Sequence, residues 1–357
     1  MFQACFSPIS GGYFVSQVAI LSKLLEAKNR FQKPHMNVYF GASGGNLANI
    51  ICSYFTTGSY QVKKIVLNLN PEMFIKNWWK GKSGFMSSKI MSFFKETLYQ
   101  EGKGAVEFFN TFTPDGKFSS QETSEYWILT FNQDKLFGSL NCTKKRESSL
   151  FSSREDICLS GTTCGEIIYL NGQLEKIIST SLASATIPGV KEKVKIEDSH
   201  YVDGGVSNPT PGTLFTEVIF EKSLKNEIVG PFQYYYLFPK NFFQERKTKS
   251  GTWFGEIFQN FQSLKDSTII NDRRHILEGW LRLTNSNIRT LLVINEENVT
   301  LQEISDILES NKEKSYFITI YTSEDISVNF TEFNREDIEN CYDAAWKTFS
   351  FHLLIKV

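Results

Sequence analysis

The sequence predicts an α/β fold built on a mainly parallel sheet, and three observations carry that expectation. Short apolar runs alternate with segments whose apolar residues recur every three or four positions, and glycine-rich turns mark the junctions between them. With 41% hydrophobic residues, the 357-residue chain can bury one large core or two ordinary ones. Residues 3–6 form the first apolar run, ended by Ser7-Pro8, and Ser10-Gly11-Gly12 is a turn before a helix over about 13–29. Phe14, Val18, Leu21 and Leu25 fall on one face of that helix. A second strand, residues 37–40, leads into Gly41-Ala42-Ser43-Gly44-Gly45, which opens a helix through Leu47, Ile50, Ile51 and Tyr54.

Residues 71–100 read as helical and are dense in aromatic and basic side chains, with Trp78 and Trp79 beside Lys80 and Lys82. Residues 127–131 predict a strand, followed by a polar loop around 144–147. A helix over 174–182 precedes Ala185-Thr186-Ile187-Pro188-Gly189, and Tyr201-Val202 is a short strand ending at Asp203-Gly204-Gly205. Further strands are expected at 234–237, 290–294 and 316–321, a charged connector at 242–251, and a closing helix at 339–357. The organisation expected is a core over 1–245 and a C-terminal part, 246–357, packed on or completing the same domain.

Charge and composition exclude several classes. Thirty-eight basic against thirty-nine acidic residues leave a net charge of -1, so the field that gathers nucleic acid is missing and any membrane contact is local. No apolar run reaches the ~18 residues of a spanning helix, and the start has no leader pattern; a cytoplasmic protein, peripheral at most to a membrane, is the expectation. The six cysteines are scattered, as reduced thiols are, and no cluster has metal-ligand spacing, so neither a metal nor another cofactor is expected.

The candidate chemistry sits in the turns. Gly41-Ala42-Ser43-Gly44-Gly45 is a G-x-S-x-G sequence between a strand and a helix. There a strained turn lifts a serine hydroxyl clear, and its neighbours must be small. The following helix aims its positive end at Ser43, where an oxyanion would form. The four histidines (His35, His200, His275, His352) offer no persuasive triad, and too few strands precede Ser43 for an α/β-hydrolase. The alternative base is Asp203, at a strand end before Gly204-Gly205; a carboxylate sheltered from water is a stronger base than a solvated one. Free N–H groups in the turn after the first strand are further oxyanion donors.

This ordered set resembles the patatin-like phospholipases. Ser10-Gly11-Gly12-Tyr13-Phe14 looks like the family's oxyanion loop, and Gly41-Ala42-Ser43-Gly44-Gly45 looks like its nucleophile elbow. Ser184-Ala185-Thr186-Ile187-Pro188-Gly189-Val190, leading to Tyr201-Val202-Asp203-Gly204-Gly205, is similar to the segment around its catalytic aspartate. The resemblance runs over roughly residues 3–211. It implies a three-layer α/β/α fold and a calcium-independent lipid acyl hydrolase with a Ser43/Asp203 dyad. It also implies an oxyanion hole from Gly11, Gly12 and Gly44, and turns shaped by Gly41, Gly45, Gly204 and Gly205. The substrate class implied is a phospholipid or another lipid ester, with Trp78 and Trp79 as candidate lipid contacts. The sequence departs from the family in its first loop, where Ile9 and Ser10 stand at the first two glycines and Tyr13 at the arginine. Two alternatives stay open: a non-catalytic binding or structural protein of the same fold, in which the altered first loop has ended turnover, and a general esterase or acyltransferase using the same dyad on a different acceptor.

Overall fold

Strands that are apolar on both faces need helices on both faces, and the chain is built that way. The computed structural model describes residues 1–10, 13–32, 35–54, 59–68, 124–144, 154–159, 163–185, 193–207, 211–238, 253–328 and 334–357. In chain order its elements are β1 (Phe2–Ser7), α1 (Phe14–Asn29), β2 (Val38–Ala42), α2 (Gly44–Asn49, continued by a π-helical turn, Ile50–Tyr54), α3 (Ser59–Leu67) and β3 (Glu125–Asn132). There follow β4 (Phe137–Cys142), β5 (Arg154–Leu159), β6 (Thr163–Tyr169), α4 (Leu174–Ser184), β7 (Val194–Ile196), β8 (Ser199–Asp203), α5 (Gly204–Ser207) and α6 (Pro211–Leu224). The last are β9 (Phe232–Leu237), α7 (Trp253–Thr284), β10 (Leu291–Glu296), α8 (Leu301–Ser310), β11 (Tyr316–Thr322), α9 (Arg335–Lys347) and β12 (Phe349–Lys356).

The result is a mixed α/β fold on one large sheet, in the order β10-β12-β11-β9-β1-β2-β3-β4-β6-β5. Its five central strands, β11-β9-β1-β2-β3, are all parallel, while the outer strands run mostly antiparallel. Alternation along the strands splits the interior into two cores. Cys5, Tyr39, Tyr126 and Tyr235 face a cluster with Val18, Leu21 and Leu24 of α1, Leu47 of α2, and Ile304 and Ile338 of α8 and α9. Phe6, Phe40, Trp127 and Tyr234 face the opposite cluster, with Phe215 of α6 and Ile276 and Trp280 of α7. Parallel register brings Phe6, Phe40 and Trp127 level, and their rings stack at 5.3 Å and 6.1 Å between centroids. Such aromatic rows supply much of the buried apolar area and hold the register.

The end of the chain corrects an expectation. Residues 339–357 are not one closing helix: α9 stops at Lys347, and β12 follows. Phe349, Phe351, Leu353 and Ile355 are buried in one core and Leu354 in the other, because β12 lies between β10 and β11. The run Phe349-Ser350-Phe351-His352-Leu353 alternates apolar and polar residues with a period of two, a strand signal that the closing-helix expectation passed over. The aromatic and basic segment around Trp78 and Trp79 and the connector at 242–251 lie outside the described residues. Cys5, Cys52, Cys142 and Cys341 are free buried thiols. Among the described residues no helix is long and apolar enough to cross a membrane.

Candidate active site

The site forms where parallel strands end and helices begin, which is where open α/β sheets place their crevice. β2 ends with Ala42 level with Leu129 of β3. β8 runs the other way and ends with Asp203 level with Thr130, the next residue of β3. The far edge of β3 is taken by β4 from Trp127 to Asn132, so β8 lies on the same edge as β2. The two strands therefore meet tip to tip, their last residues about 3.4 Å apart along β3. Ser43 leaves one tip and Asp203 forms the other.

The Ser43 backbone is strained, with φ 55° and ψ -135°, a region that side chains avoid at a cost of roughly 1–3 kcal/mol. The packing shows why its neighbours are glycine. A Cβ on Gly41 would stand 2.5 Å from Asn46 Cα, and one on Gly45 would stand 2.2 Å from the Ser7 carbonyl oxygen and 2.3 Å from that of Pro8. Gly45 thus seats the start of α2 directly on the turn after β1. Ser43 caps α2 at its N-terminus, so Gly44 and Gly45 are the first helical residues, whose N–H groups have no acceptor within the helix. The Ser43 N–H itself donates to Ser184 Oγ at 3.0 Å, and that hydroxyl donates to the Leu129 carbonyl at 2.6 Å.

The Asp203 turn packs as tightly. Asp203 is fully buried, and its Oδ1 accepts the Gly205 N–H at 2.9 Å, which fixes the carboxylate within its own turn. A Cβ on Gly204 would stand 2.7 Å from Leu129 Cγ and 2.8 Å from the Leu129 carbonyl, and one on Gly205 would collide with Ile9 at 2.2 Å. Ile9 is therefore the side chain that packs the chain after β1 against the aspartate turn. Below it, β8 is anchored by the buried Glu166 carboxylate. Glu166 accepts from the Tyr201 hydroxyl at 3.2 Å, Asn132 Nδ2 at 3.0 Å, Ser139 Oγ at 2.8 Å and Lys135 Nζ at 2.9 Å. Those donors outweigh burial and hold its carboxyl below the usual range.

The structure thus brings together Ser43, Gly41, Gly44, Gly45, Asp203, Gly204 and Gly205. Gly11, Gly12, Trp78 and Trp79 lie outside the described residues, as does most of the Ala185 to Val190 block. His200 does have an acidic partner, which sequence reading missed: its Nδ1 lies 3.0 Å from Asp134. That pair is on the surface, and His200 stands three residues before Asp203, about 10 Å along the strand and on its opposite face. It takes no part in the meeting of the two turns. Ser184 and the Leu129 carbonyl were not expected at the site; Ser184 opens a recognised block, but nothing in a sequence reveals a hydroxyl bridging two strands. Among the described residues no His/Cys/Asp/Glu group is placed to hold a metal.

No family model matches the chain, and no curated protein is similar to it. Among solved structures, VipD from Legionella pneumophila is similar at a TM-score of 0.39 and 11% identity, over 97% of this chain and 65% of VipD. The chain thus spans about 65% of the length of that relative. At this distance the likeness adds nothing to the site's own geometry.

Proposed function

We propose that this chain is a lipid acyl hydrolase of the phospholipase A type, working through a Ser43/Asp203 dyad. The observation that carries the reading is the tip-to-tip meeting of β2 and β8 on Leu129 and Thr130, with a strained serine at one tip and a buried carboxylate at the other. In the first step Ser43 Oγ attacks an ester carbonyl as Asp203 accepts its proton, and a tetrahedral oxyanion forms. The Gly44 N–H at the head of α2, with the N–H groups of Gly11 and Gly12, is proposed to hold that oxyanion. Collapse breaks the ester bond, and the departing alcohol, a lysolipid for a phospholipid, takes the proton from Asp203. Water then attacks the acyl-Ser43 ester with Asp203 as base, releasing the fatty acid and restoring both side chains.

Every proton in this cycle is carried by the dyad, so activity is expected to survive chelation of calcium. The lipid substrate class is supported by the ordered motif blocks that resemble the patatin-like phospholipases. Trp78 and Trp79, flanked by Lys80 and Lys82, are proposed to meet the headgroup boundary, where indoles settle and ammonium groups pair with phosphate. A fluorophosphonate probe tests the nucleophile: covalent labelling of the wild type that maps to Ser43 and vanishes in Ser43→Ala is expected. An unlabelled wild type, or labelling that persists in the variant, would remove the assignment.

A further inference from the structure

We propose that Ser184 is a positioning residue that holds the Ser43 turn in register with Asp203, an inference that rests on the dyad reading above. Ser184 is the last residue of α4 and is wholly buried. Its hydroxyl accepts from the Ser43 N–H and donates to the Leu129 carbonyl, at 3.0 Å and 2.6 Å, which uses a hydroxyl's ability to do both at once. Because Ala42 is level with Leu129, that carbonyl lies where the next rung from β2 would land if the strand continued. The hydroxyl stands in place of the rung. It lets β2 part from β3 by the width of one oxygen while leaving neither backbone group unsatisfied in a buried place, where an orphan is costly.

Two consequences follow for the chemistry. The parted strand gives Ser43 room for its strained backbone, and the bond to its N–H keeps that backbone from relaxing into the sheet. The Leu129 carbonyl that receives the Ser184 hydroxyl is also the surface on which Gly204 rests, within 2.8 Å of a Cβ position. One carbonyl therefore fixes both turns, and Ser184 is the link from it to the nucleophile. The Ser43 N–H is occupied by this link, which leaves the Gly44 N–H as the oxyanion donor at the helix head.

The test compares wild type, Ser184→Ala and Ser184→Thr, reading kcat and KM on lipid vesicles together with hydrogen exchange at the Ser43 amide. Ser184→Ala is expected to lower kcat roughly 10- to 100-fold with KM within about twofold, the penalty of a nucleophile misplaced by ~1 Å. The Ser43 amide loses protection while amides further along α2 keep theirs. Ser184→Thr retains a hydroxyl and is expected to recover most of kcat and the protection. If Ser184→Ala does not fold, Ser184→Cys, similar in size and a poor acceptor, takes its place with the same expectations. A wild-type kcat, or wild-type exchange at Ser43, in a folded variant lacking the hydroxyl overturns the proposal. A wild type that neither hydrolyses lipid nor labels at Ser43 defeats the functional reading alone, and the amide exchange still decides whether Ser184 holds the turn.

Discussion

Replacing Lys28 by methionine should stabilise the protein, and the gain should depend on pH in a way that the surroundings of Lys28 define. Lys28 lies in the last turn of α1 and is fully buried, its Nζ donating to Gln3 Oε1 and Met36 Sδ, each at 2.8 Å, near the Tyr235 ring. Among the described residues no carboxylate pairs with it. Burial pushes its ammonium down from 10.5 to about 7, and the nearby Cys5, itself pushed up to about 12, offers little compensating charge. Below pH 7 both states are protonated and the folded protein bears the full penalty. Between about 7 and 10.5 the unfolded chain holds a proton that the folded one has lost, so stability rises with pH through that window. At ~1.4 kcal/mol per pH unit the penalty amounts to about 5 kcal/mol at low pH. Methionine removes it but leaves Gln3 Oε1 short of a donor, at a cost of about 1–3 kcal/mol, for a net gain of ~2–4 kcal/mol near pH 6. Urea denaturation of both proteins from pH 6 to 9.5 measures the difference, which should shrink steadily above pH 7. A pH-independent difference, or a destabilised variant at pH 6, would refute the reasoning. Because Gln3 and Lys28 lie at the opposite end of β1 from Ser7, the dyad should be untouched.

Three further outcomes follow from the same contacts. Gly45→Ala puts a methyl 2.2 Å from a backbone oxygen that cannot yield, so hydrolysis should fall by more than about 100-fold, seen as lost fatty acid release, with a lowered Tm. His200→Ala should leave kcat within about twofold of wild type, since the exposed His200–Asp134 pair contributes little and lies away from Asp203; a large loss would revive a histidine-dependent mechanism. Asp272 is buried against the Gly212 N–H and the Tyr236 hydroxyl, and burial pushes its carboxyl up from 3.8 to about 7. The folded protein therefore holds a proton there that the unfolded chain loses between about 4 and 7, so this group's stabilising share falls as pH rises through that window. Asp272→Asn should flatten that part of the stability profile, measured by denaturant titration at pH 4.5, 6 and 8.

What sequence reading captured was local. The Phe14–Leu25 spacing marked α1, and the glycines of residues 41–45 and 204–205 marked turns whose tightness the structure explains atom by atom. The turn chemistry was legible because only glycine tolerates a backbone oxygen at 2.2 Å, and that requirement is written in residue identity. Long-range facts were not legible. That β8 abuts β2 end to end on β3, and that Ile9 packs against the aspartate turn, depends on contacts across much of the chain. Some missed features did leave signals. Thr300 and Glu303 form a capping box that announces α8, and Asn334 with Asp337 announces α9. The strand β12 left one too, in Phe349, Phe351, Leu353 and Ile355 spaced two apart with Ser350 and His352 between them.

Release of fatty acid from mixed phospholipid vesicles, with and without a calcium chelator, tests the central claim most directly when wild type, Ser43→Ala and Asp203→Asn are compared as folded proteins. Chelator-resistant release by the wild type, reduced by orders of magnitude in both variants, is what the dyad predicts. Release that either variant retains in full, or that only calcium supports, would contradict it.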